Sequence, residues 1–155
     1  MKKWRQLFTA TICACLAVFI LPATSFAKDN DETIVYYSDG SYSIISITYE
    51  DAQPGISPAA ARSSRRGTKD VEHYNSSKNL VWTFTVYGEF TYDGRSATAT
   101  DSDYSYRIYD SEWSFVSGNA SYSGATARAT GKFSWYGTTS SASVSLTCSA
   151  NGTLS

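Results

Sequence analysis

Residues 80–92 alternate apolar and polar side chains over most of their length, then turn at Asp93-Gly94. Leu80, Trp82, Phe84, Val86, Phe90 and Tyr92 share one face, and Thr83, Thr85, Glu89 and Thr91 the other. Period-two alternation of this length predicts a half-buried β-strand. Gly88 falls on the apolar face, where a glycine marks a bulge or the close approach of another backbone. At about 3.3 Å per residue the run would span about 43 Å. That is long for a small sandwich, so the strand is expected to bend at Gly88 and serve both sheets.

The pattern recurs downstream. Ala125, Ala127, Ala129, Gly131, Phe133 and Trp135 alternate with polar residues, as do Ala142, Val144, Leu146, Cys148 and Ala150. Shorter runs cover Tyr104–Ile108 and Trp113–Val116, and Asp93-Gly94, Gly118-Asn119, Tyr136-Gly137 and Asn151-Gly152 read as turns. No proline occurs after Pro58, which suits a sheet. One wet and one dry face per strand predicts two packed antiparallel layers: an all-β sandwich, immunoglobulin-like or similar. In this reading Trp82 and Trp135 both belong to the core.

Upstream, the pattern changes twice. Lys2, Lys3 and Arg5 precede an apolar run from Leu7 to Leu21, and Ser25-Phe26-Ala27 fits a signal-peptidase site. Residues 1–27 are therefore expected to be a signal peptide; the apolar run is shorter than the ~20 residues that span a bilayer. Cys15 sits inside that run rather than closing it, which argues against lipidation. Residues 28–67 are expected to hold two short strands, Thr33–Tyr37 and Tyr42–Tyr49, and then a flexible linker. The linker carries Arg62, Arg65 and Arg66, which read either as a solvated loop or as a processing site for a trypsin-like protease at Arg65 and Arg66. The sandwich proper is assigned to residues 68–155.

Composition narrows the function. Once Lys2, Lys3 and Arg5 leave with the signal, ten basic residues face fourteen acidic ones, a net charge of −4. That balance argues against nucleic-acid binding and against attraction to anionic membranes, and no stable membrane insertion is expected after cleavage. Cys148 is the single cysteine beyond the signal, so packing rather than an internal disulfide holds the domain. It continues the Val144, Leu146 face and is expected to be buried.

Catalytic and metal chemistry find little to work with. His73 is the sole histidine, and a triad with Asp70 and one of the serines lacks any nucleophile-elbow motif. Glu89 and Glu112 read as surface acids, and Asp101-x-Asp103 is too sparse for a calcium site. No enzyme activity, cofactor or metal is expected. The compositional excess is aromatic, 15% of residues. Tyr87 and Tyr136 sit among polar neighbours on their strands, where burial gains nothing. Were those strands adjacent, the two rings would line up either as a platform for a sugar ring or as a cross-strand aromatic pair that stabilises the sheet.

The segments LVWTFTVYGEFTYDG (80–94), YDSEWSF (109–115), GATARATGKF (124–133) and SVSLTCSANGTLS (143–155) resemble a family of small secreted proteins of Gram-positive bacteria. The resemblance covers about the last half of the chain, and its ending is the most specific part. It implies a signal peptide and a β-rich domain, and no activity. Members often carry a cysteine where Ala99 stands here, as partner for the one matching Cys148; this chain lacks it. The expectation is a secreted, extracellular, non-catalytic module contacting a cell-wall or host polysaccharide or a protein partner. The alternative is a small bacteriocin-like toxin.

Overall fold

The structure, a computed structural model, describes residues 26–28, 32–50 and 62–155. They form nine strands in two antiparallel sheets, and no helix occurs among them. The first sheet holds β1 (Phe26–Lys28), β2 (Thr33–Tyr36), β3 (Tyr42–Glu50), β4 (Ser63–Tyr74), β5 (Leu80–Tyr92) and β6 (Ala97–Ile108). The second holds β7 (Trp113–Ser123), β8 (Thr126–Trp135) and β9 (Thr138–Thr147). From β3 onward, strands consecutive in sequence pair within each sheet, and β1 and β2 share the outer edge of β3. This sequential meander differs from the Greek-key order of immunoglobulin domains.

The core forms where the two dry faces meet. Phe84, Val86, Phe90, Phe133, Val144 and Leu146 are buried between the sheets. The sheets are aligned so that Gly88 lies on Ala127, Gly131 on the Phe84 ring, and Trp82 against Phe133. At Gly131 an added Cβ would stand 2.6 Å from the Phe84 ring, so the glycine is the space that ring occupies. Cys148 is buried and unpaired, as its place in the alternation required.

Four expectations need correction. β5 does not bend into both sheets: it pairs with β4 from Leu80 and with β6 from Trp82, in both cases as far as Tyr92. Its length is matched by those neighbours, so the sheet is long rather than folded over. Gly88 itself carries no bulge; the register shifts one step on, between Glu89 and Phe90. Gly118-Asn119 is not a turn but mid-strand in β7, and the hairpin turns at Gly124, where φ is +57°. Finally, the expected boundary between residues 67 and 68 falls inside β4, whose residues 63–67 pair with β5 and whose residues from Gly67 onward also pair with β3. The upstream strands are thus part of the same sheet. The expected signal segment lies outside the described residues except for Phe26 and Ala27, and of the expected linker residues 51–61 lie outside them.

Candidate functional site

One end of the sandwich is built from turns that side-chain oxygens hold in place. Between β2 and β3, Asp39 Oδ1 accepts the Ser41 amide at 3.0 Å and the Ser41 hydroxyl at 2.6 Å, with Gly40 at φ +82°. Between β4 and β5, Asn75 Oδ1 accepts the amides of Ser77 and Asn79. Between β6 and β7, Asp110 Oδ1 accepts the Glu112 amide at 3.0 Å. In each turn a short polar side chain substitutes for a missing backbone partner. At the same end β8 turns into β9 through Tyr136 and Gly137, both in the left-handed region at φ +45° and +84°. Two successive positive φ values match a two-residue type I′ hairpin turn.

These turns surround a groove of about 870 Å³. A stack of rings underlies it: His73 lies on Trp82 at 4.7 Å, and Trp82 on Phe133 at 4.1 Å. Trp113 and Tyr37 meet His73 edge-on at 6.0 and 5.7 Å. Trp82 is 3% exposed, and its indole N–H has no partner among the described residues. The Tyr37 hydroxyl lies 3.2 Å from Ser43 Oγ, which lies 3.1 Å from His73 Nδ1. Burial pushes the imidazole below its ordinary value and the Asp39 charge opposes this, so the chain runs from tyrosine to serine to a neutral histidine.

At the rim stands an aromatic clamp. Trp135 is 43% exposed and Tyr136 76% exposed, with ring centroids 5.4 Å apart. The Glu112 carboxylate fixes both: Trp135 Nε1 donates to Oε2 at 3.2 Å and the Tyr136 hydroxyl to Oε1 at 3.0 Å. That hydrogen bond and the carboxylate charge push the Tyr136 phenol upward. Trp113 stacks against Trp135 from the neighbouring strand at 6.4 Å. Trp135 is thus not a core residue. It is the register partner of Trp113, and Phe133, two residues back, already faces Trp82 near the start of β5. Trp135 overhangs the opposite sheet, so alternation continues where cover does not.

The two tyrosines singled out from sequence are not brought together. Tyr87 lies on the outer face of β5, beside Gly88 and therefore toward the opposite end of the sandwich from Tyr136. Its hydroxyl meets Ser105 Oγ at 3.1 Å, over a shallow hollow of about 360 Å³ shared with Arg66, Glu89 and Asp103. β5 and β8 belong to different sheets, so the flat platform does not form.

The basic cluster is also placed differently. Arg65 and Arg66 lie within β4, paired with Phe90 and Glu89 of β5, and not in a loop. The Arg65 guanidinium rests over the Tyr49 ring at 5.1 Å, and Arg66 pairs with Glu89 at 2.7 Å. A protease needs an extended free segment, which a strand bound into the sheet along β5 does not offer.

His73 and Asp70 point to opposite faces of β4, and Asp70 accepts from Thr68 and Thr85 there. Ser43 pairs with His73 but is 1% exposed and presents no hydroxyl to a substrate. Glu89 and Glu112 lie at separate places, one paired with Arg66 and one in the clamp. Among the described residues no three His, Cys, Asp or Glu side chains gather to hold a metal. Ala99 and Cys148 flank one spot: their amides donate to the successive carbonyls of Gly124 and Ala125. No protein-family profile, curated protein or solved structure matches the chain.

Proposed function

We propose that the protein is a secreted, non-catalytic β-sandwich module that binds an extracellular or cell-wall glycan in the groove at its open end. The supporting observation is the Trp135–Glu112–Tyr136 clamp. Two large rings stand in solvent at the rim, and one carboxylate holds both in fixed orientation. A ring held in place before binding loses little freedom on stacking, which favours association. Behind the clamp, hydroxyls line the groove wall along Thr138 to Ser141, and sugars offer matching partners. The site keeps Tyr136 from the sequence reading and replaces Tyr87 with Trp135.

The test is retention of the protein on insoluble cell walls and on an array of polysaccharides. Retention on at least one, competed by its soluble oligosaccharide, supports the reading. Absence of retention on every wall and polysaccharide overturns it.

A further inference from the structure

The charge of the groove specifies its ligand further. Asp39, Asp110 and Glu112 line it, and none of its described lining residues is Lys or Arg. The remaining titratable group that carries a proton near neutrality, His73, is held neutral by burial. Three carboxylates stand around aromatic faces in a concave space with no cation to offset them. Such a space concentrates positive charge, because low-dielectric walls focus the field. A cation over the face of a tryptophan gains further attraction from the ring quadrupole.

Asp39 and Asp110 are committed only in part, whereas both oxygens of Glu112 accept from the clamp. Asp110 Oδ1 accepts the Glu112 amide and Asp39 Oδ1 accepts from Ser41, and these bonds do not use the second oxygen of either carboxylate. A second feature at the same place also calls for a ligand. Trp82 lines the groove, is 3% exposed, and has an indole N–H without a partner. A buried donor left without an acceptor is costly. A ligand hydroxyl at the base of the groove would supply its acceptor only by parting the atoms that now cover the nitrogen.

Resting on the glycan reading above, we propose that the groove selects an amine-bearing sugar polymer, with the sugar faces on Trp135 and Tyr136 and an ammonium group among Asp39, Asp110 and Glu112. Neutral and N-acetylated sugars share the stacking surface but leave the carboxylates without a cation. Anionic polysaccharides meet them as like charge.

The experiment is calorimetric titration of the full chain with hexamers of glucosamine, N-acetylglucosamine and glucose, and with hexalysine, at mildly acidic pH and low salt. The glucosamine hexamer should bind about tenfold more tightly than either other sugar, an advantage that shrinks as salt screens the carboxylates. Asp110→Asn keeps the acceptor for the Glu112 amide and removes the charge. It should lower the ratio of glucosamine to N-acetylglucosamine affinity about threefold, whereas Asp103→Asn, outside the groove, should leave it unchanged. Equal binding of the three sugars overturns the amine assignment and leaves the glycan reading standing. Binding of no sugar overturns both. Hexalysine binding as tightly as the glucosamine hexamer shows that charge alone is read, and overturns the sugar half of the proposal.

Discussion

The two ends of this sandwich are built from different chemistry. At one end β9 runs into a C-terminal segment that folds back on it: Thr147 and Ser155 exchange both amide hydrogen bonds, at 2.9 and 3.0 Å. That return buries Leu154 against Gly67, whose missing side chain is the space it fills. Ala99, Ala127 and Cys148 complete a seal of small apolar groups, tied by backbone bonds from Ala99 to Gly124 and from Gly94 to Ala150. At the other end no described segment folds back. The core rises into a stack of His73, Trp82 and Phe133, and the rim is aromatic and acidic. The closed end shows how a β-core is finished with no disulfide among the described residues. The open end shows rings and carboxylates kept where burial would not need them.

Core side chains at either end should cost stability, whereas rim side chains should cost binding. The largest effects are expected from Trp82→Ala and Leu154→Ala. Truncation of buried side chains of these types costs about 3–5 and about 2–5 kcal/mol respectively. Denaturant unfolding should show both, at similar slope. A loss near zero for Leu154→Ala would mean that the C-terminal return does not seal the core.

Next in size is Gly131→Ala. Its Cβ would lie 2.6 Å from the Phe84 ring, and the expected loss is about 1–3 kcal/mol from overpacking. Pairing it with Phe84→Leu should recover part of the loss, because the smaller side chain vacates the space. No recovery would argue that backbone strain, not the ring, sets the cost.

The open end should also be the acid-sensitive end. Burial holds the His73 imidazole below its ordinary 6.5, against the opposing charge of Asp39. The unfolded chain therefore takes up a proton that the folded chain resists. Stability should be full above pH 6.5 and fall as pH drops through it. Asp39 and Asp93 are held below 3.8 by hydrogen bonds from Ser41 and from Ser96 and Arg95, so their contribution is lost only further down. His73→Phe keeps the stack on Trp82 and removes the titration. Melting temperatures of this variant should be flat across the histidine window; an unchanged slope would place the titration elsewhere.

A smaller effect separates strand from loop in the basic cluster. Limited trypsin treatment should cut after the exposed Arg62 before it cuts after Arg65 or Arg66, which are paired within β4. A first new N-terminus at Arg66 or Gly67 would contradict that placement.

Much of the fold was legible because β5, β8 and β9 each bury one face and wet the other. The turns at Asp93-Gly94, Tyr136-Gly137 and Asn151-Gly152 were legible through the chemistry of glycine at positive φ. β4 was not. Its core-facing positions are Arg65, Gly67, Lys69, Val71 and His73, a set that reads as linker. A strand tolerates such residues here because the opposing sheet has three strands against six and leaves part of that face uncovered. Half of the site was legible in Tyr136. Trp135 was assigned to the core because alternation reports which way a residue points, not whether anything lies opposite. Glu112 read as a surface acid. The signal that places it was the β7–β8 hairpin turning at Gly124, which sets Trp113 opposite Trp135 and so brings Glu112 beside Tyr136.

The most direct measurement compares Trp135→Ala with Tyr87→Ala for retention on whichever insoluble glycan holds the wild type, with unfolding midpoints recorded alongside. Both residues are 43% exposed, so similar small changes in stability are expected, and the pair isolates position. The account predicts that Trp135→Ala is no longer retained and that Tyr87→Ala is retained like the wild type. Loss of retention by Tyr87→Ala with Trp135→Ala still bound would put the binding surface on the outer face of the long sheet and contradict the assignment to the open end.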